Sequence, residues 1–317
     1  MEPMTYSIRY WQPLERAFDR MRRFLFEPFD LVTWMVLGFS AWLATLGSGS
    51  GGGGNLAGDP TNIGDSFERA ASSLFDNIFL VGLVGMAGIV VLAIVAVLLW
   101  LSSRGKFIFL DNVVHERAEI SNPWHRYKNL GNSLFLWRVA FVGVVIAVLA
   151  AAALIPAIPA ALISGGSFDD LSIFAMTSWG LVFGLAAVVV VIISLFVSLF
   201  LDSFVVPIMY RFDLSATEAW KHLVPWLKAH PGSFVLYGFF VLLLTMGFAI
   251  VSMLACLLTC CIAALPYIGT VVLLPLWVTY RHLSLEWLAQ FDPGFDIFTP
   301  LVTTETEEAF VVADSEV

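Results

Sequence analysis

The chain has 317 residues, of which 59% are hydrophobic and only 13% charged, against roughly a quarter charged in an ordinary soluble domain. Together with uncharged runs long enough to cross a bilayer, this excludes a water-soluble globular fold and makes lipid the solvent. The formal net charge of -9 does not describe the membrane-facing body, because Asp292 to Val317 holds seven acidic residues and no basic one.

In chain order, residues 1–30 read as an amphipathic segment. Pro13 to Leu25 places Leu14, Ala17, Phe18, Met21, Phe24 and Leu25 on one helical face and Arg16, Arg20 and Arg23 on the other. Such a helix either lies on an anionic leaflet or docks on the protein's own spans, and the pattern fits both. The first apolar run, Leu31 to Leu46, follows five arginines, which predicts a retained anchor and not a cleaved leader. The glycine-rich stretch Gly47 to Asn55 lacks the Lys-Ser/Thr of a phosphate-binding loop and reads as a linker.

Further uncharged intervals lie between Asp76 and Arg104, Arg138 and Asp169, and Asp170 and Asp202. The interval from Lys228 to Arg281 is too long for one crossing, and a turn at Ala264 to Tyr267 divides it. The predicted architecture is therefore all-α: a six-span transmembrane bundle over residues 31–290, followed by an acidic disordered tail over 291–317. Of the sixteen lysines and arginines, only Arg69 falls on the side opposite the rest. The positive-inside rule then puts both termini in the cytoplasm.

The two larger cytoplasmic connections resemble each other. Phe107, Trp124 and Phe135 recur as Phe204, Trp220 and Phe234, at offsets of 97, 96 and 99 residues. Ser215 and Glu218 form a capping-box pattern opening a short helix with Trp220, Leu223 and Leu227 on its apolar face and Lys221 and Lys228 toward headgroups. A duplicated unit of span, interfacial helix and span is expected. With Pro207, Ser215-x-x-Glu218-Ala-Trp220 and Gly232, roughly Phe24 to Leu288 resembles a group of six-span prokaryotic membrane proteins. These are similar to the membrane domain fused to some glycerophosphodiester phosphodiesterases. The resemblance implies architecture and a prokaryotic inner membrane, and transfers no active-site residue, since the hydrolase domain has no counterpart here.

The spans carry few ionisable groups. Arg138, Asp202, Arg281, His282 and Glu286 sit near expected cytoplasmic ends, where snorkelling accounts for them. The histidines His115, His125, His222, His230 and His282 show no zinc-ligand spacing, although His282 and Glu286 share a helical face. Cys256, Cys260 and Cys261 read as small packing residues. Gly180 and Gly184, and Gly82, Gly85 and Gly88, read first as packing within the chain and second as a dimer contact. Pro156, Pro159 and Pro275 read as kinks, and Asp314 to Val317 as a solvated terminus more than a peptide ligand.

Arg16, Arg20, Arg23, Trp124, Trp220, Lys221 and Lys228 are thus the membrane-interface candidates. No catalytic, cofactor or metal site is expected, and no nucleic-acid partner. The favoured reading is a non-enzymatic organiser of lipids or partner proteins, acting in the lipid bilayer with a membrane protein partner or as a homo-oligomer. The alternatives are a permease or channel for a neutral or amphipathic solute, and a membrane-embedded hydrolase at the cytoplasmic face.

Overall fold

The computed structural model describes residues 11–46, 78–163, 173–259 and 265–298, and among these all regular structure is helical. The helices are α1 (Trp11–Phe26), α2 (Leu31–Thr45), α3 (Ile78–Val114), α4 (Ser121–Arg126), α5 (Lys128–Ile163), α6 (Ile173–Phe200), α7 (Val206–Phe212), α8 (Ala216–Ala229), α9 (Pro231–Leu258), α10 (Pro266–Val272) and α11 (Leu274–Leu288). The Gly47–Asn55 linker, Arg69, Cys260, Cys261, Ala264 and the tail beyond residue 298 lie outside the described residues, as do the side chains of Pro156 and Pro159. Helix α5 continues through those two prolines.

Among the described residues, four helices are long and apolar enough to cross a membrane: Gly82–Val114, Lys128–Leu154, Gly180–Phe212 and Pro231–Leu258. The two other expected spans fall short of that length. Helix α2 has 15 residues, about 22 Å of rise. The last apolar stretch is split at Leu273 into α10 and α11, because Pro275 has no N–H to donate to the carbonyl four residues back and is tolerated only in a first turn.

The chain divides into two compact units. One comprises residues 15–132 and 245–282. Asp30 caps α2, its carboxylate accepting from the Val32 and Thr33 amides at 3.1 and 3.0 Å. Met21 and Leu25 of α1 bury against Leu37, Ala41, Phe109, Val113, Leu274 and Val278, and the Trp34 indole donates to the Leu25 carbonyl at 2.9 Å. Of the two sequence readings of α1, this contact favours docking on the protein. Phe18 departs from the expected face and is 54% exposed.

Close helix approach in this unit depends on small residues. A Cβ on Gly105 would lie 2.6 Å from the Leu43 carbonyl carbon and 2.7 Å from the Ala44 nitrogen, while Ser102 donates to the Ala44 carbonyl at 2.9 Å. Gly38 gives α10 the same proximity at Val271, and Thr270 donates to the Gly38 carbonyl at 3.2 Å.

The other unit comprises residues 1–14, 133–244 and 283–317. Its described core is aromatic: Trp287 is fully buried, with ring centroids of Tyr237, Phe291, Phe204 and Phe234 at 4.4, 4.7, 5.2 and 5.3 Å. Helix α6 passes into α7 through one π turn, Leu201–Val205, in which the Val206 amide reaches back to the Leu201 carbonyl. Pro207 follows and has no N–H to continue the α-helical ladder, one of the usual causes of such a local change in winding.

Helices α3 and α7 end alike. Lys106 to Val113 and Ser203 to Met209 are buried without interruption. Each end is followed by a left-handed residue, Glu116 at φ 50 and Asp213 at φ 51. The Arg117 amide then donates to the Asn112 carbonyl and the Leu214 amide to the Met209 carbonyl. The next helices differ, α4 having 6 residues and α8 having 14.

Candidate functional site

The densest polar chemistry among the described residues lies at the end of α3. Asp111 is fully buried. The left-handed Glu116 turns the chain back, and Arg117 donates to Asp111 Oδ2 at 2.6 Å while the Tyr127 hydroxyl donates to Oδ1 at 2.9 Å. His115 Nδ1 stands 3.3 Å from Oδ1. The Asn112 side chain accepts from the Glu119 amide at 3.1 Å, and Arg117 also reaches Glu119 at 3.6 Å. Both carboxylate oxygens of Asp111 are engaged, so this centre ties the loop after α3 to the helix and presents no idle general base.

A second buried group lies where α11 begins its polar run. Arg281 donates to the Lys106 carbonyl at 3.5 Å, and Lys106, Arg281 and His282 are all buried. Snorkelling was the expectation for Arg281, His282 and Glu286, but all three are enclosed by protein. Packing against neighbouring helices encloses them in place of the headgroup region. Arg138 is half-buried and is acted on by the charge of Asp202.

The third arrangement is partly open. Arg104 Cζ stands 4.3 Å from the Trp100 ring centroid and 5.2 Å from that of Trp124, and the two indoles meet edge to face at 6.1 Å. Asn132 Oδ1 accepts from both Trp100 Nε1 at 3.1 Å and Arg104 Nη2 at 3.2 Å. The arginine stem passes over Gly131, where a Cβ would lie 2.7 Å from its Cγ. In the sequence Arg104 marks the end of an apolar run, and the legible signal of the cluster is Trp100 and Arg104 one helical turn apart.

Of the interface candidates, Arg16, Arg23, Lys221 and Lys228 are exposed, and Arg20, Trp124 and Trp220 are half-buried. Trp220 stacks on Trp137 at 5.6 Å, and Trp124 belongs to the Arg104 arrangement. The capping box at Ser215 and Glu218 is present; the Ser215 hydroxyl holds the Glu218 carboxyl below its ordinary value. The face of α8 that is buried is Ala216, Ala219 and Leu223.

Packing within the chain was expected at Gly82, Gly85, Gly88, Gly180 and Gly184, but among the described residues nothing lies within 4 Å of a Cβ built at any of them. They sit amid exposed apolar side chains such as Met86, Ile89, Leu181 and Leu185. A glycine pattern marks a thin helical face without specifying a neighbour for it, and the close approaches fall at Gly38, Gly105 and Gly131. His125 and His222 are exposed, with His222 stacked on Phe212 at 6.0 Å and His230 against Phe291 at 5.9 Å. Among the described residues no three His, Cys, Asp or Glu side chains gather as a metal site would require.

Among the described residues the fold is all-helical with four membrane-length apolar helices, which defines the class: a helical membrane protein. The chain belongs to the family of unknown function DUF7544, which matches residues 11–292. No curated protein and no solved structure matches it.

Proposed function

We propose that this protein is a non-enzymatic membrane component that organises anionic lipids, or proteins held at such lipids, at the cytoplasmic face of a prokaryotic inner membrane. The observation that carries this is the placement of the basic residues. Helices α1 and α8 bury apolar residues in the protein, Met21 and Leu25 in one and Ala219 and Leu223 in the other. They leave Arg16, Arg23, Lys221 and Lys228 exposed, each worth about 1 kcal/mol near an anionic leaflet.

In this reading α2 and the α10–α11 stretch complete six spans, with both termini inside. The shared ending of α3 and α7, at the 97-residue offset of Phe107 and Phe204, supports an internal duplication. The finer kinship with the membrane domain fused to glycerophosphodiester phosphodiesterases rests on Pro207, Ser215, Glu218, Trp220 and Gly232 alone. The open glycine faces then serve contacts outside the chain.

The test replaces Arg16, Arg20 and Arg23 together by glutamine and counts phosphatidylglycerol molecules retained per chain by native mass spectrometry from mixed-lipid nanodiscs. A several-fold fall is expected. Retention equal to wild type would refute the reading.

A further inference from the structure

We propose that Arg104, Trp100, Trp124 and Asn132 form a discrete binding site for the phosphate of an anionic phospholipid headgroup. The proposal deepens the preceding reading, and it rests on that reading only for the leaflet concerned.

Depth comes first. Gly82 to Leu101 is about 20 residues of unbroken apolar sequence, about 30 Å of helix, the thickness of a bilayer's hydrocarbon. Side chains along its first part are exposed, as lipid-facing residues are. Arg104 is the first charge after this run, less than one turn beyond it, which sets its guanidinium among headgroups. Tryptophans at that level are the usual interfacial anchors, and Trp100 and Trp124 flank it.

Chemistry comes second. The described residues place no carboxylate against Arg104; its polar partner is the neutral Asn132. Nε is enclosed without an acceptor, so the outward donors are at Nη1 and Nη2, of which Nη2 gives one hydrogen to Asn132. Arg104 Cζ lies over the faces of both indoles, and the donors not given to Asn132 remain for the in-plane hydrogen bonds by which arginine grips phosphate. Asn132 is exposed and holds both Trp100 and Arg104 at one oxygen, so the donors are oriented before a ligand arrives. Two other arginines differ: half-buried Arg117 is spent on Asp111, and buried Arg281 donates to the Lys106 carbonyl.

The experiment uses the full chain in nanodiscs of phosphatidylcholine containing a minor fraction of phosphatidylglycerol, with native mass spectrometry counting retained anionic lipid. Wild type should hold one phosphatidylglycerol that survives collisional heating, and Arg104→Gln should weaken its retention on the order of tenfold, the scale of one charge-assisted pair. Asn132→Ala, which leaves every charge in place, should weaken it several-fold; it carries the test if the glutamine variant does not fold. If a folded variant of either kind retains the lipid as wild type does, the proposal is overturned. The Arg16, Arg20 and Arg23 triple variant should keep this one lipid while losing the loosely held ones. Loss in the triple variant with retention in Arg104→Gln overturns the site and leaves the general reading standing. In phosphatidylcholine-only nanodiscs, inorganic phosphate binding more tightly than phosphatidylglycerol and through Arg104 would overturn the lipid assignment in favour of a soluble phosphate.

Discussion

At the scale of single residues, the stability of the α3 end depends on keeping Asp111 neutralised. A buried carboxylate is tolerated because Arg117 and Tyr127 occupy its oxygens. Arg117→Leu should cost about 3–5 kcal/mol by stranding that charge, and Tyr127→Phe about 1 kcal/mol. Denaturant titration of the detergent-solubilised protein checks both; equal, small losses would mean the pair is not what holds the loop. None of this was visible in the sequence: Arg117 reaches Asp111 only because Glu116 adopts a left-handed turn.

At the scale of helices, local signals were legible and their partners were not. The Ser215 and Glu218 box is written within four residues, and it forms as read. The apolar stripe of α1 is likewise present as Ala17, Met21 and Leu25. A stripe, however, states only that something covers it, and here the cover is α2, α3 and α11 residues as well as any lipid. Glycines show the same limit. Gly105→Leu should break the α2–α3 contact and destabilise by several kcal/mol, since the obstruction is backbone, whereas Gly85→Leu should leave the monomer's stability within about 0.5 kcal/mol. Thermal unfolding of the two variants side by side is the check, and equal effects would contradict the placement of α2. Ser215→Ala should fray the first turn of α8, seen as faster amide exchange at Thr217 and Glu218.

At the scale of the molecule, composition alone identified the solvent, because charge-free runs of membrane length leave a chain little choice. Four such runs stand as long helices. The other two were less legible because the hydropathy of Leu31 to Leu46 and Leu265 to Tyr280 does not reveal that one helix is short and the other is broken before Pro275. Topology is the claim on which the lipid-organising function and the Arg104 site both depend. It is tested most directly by single cysteines introduced into a background in which Cys256, Cys260 and Cys261 are alanine, labelled in intact cells with a membrane-impermeant maleimide. Ser66→Cys and Ser167→Cys should react in intact cells, and His125→Cys and His222→Cys only after lysis. Labelling of His125→Cys or His222→Cys in intact cells would place the basic connections outside and contradict the account.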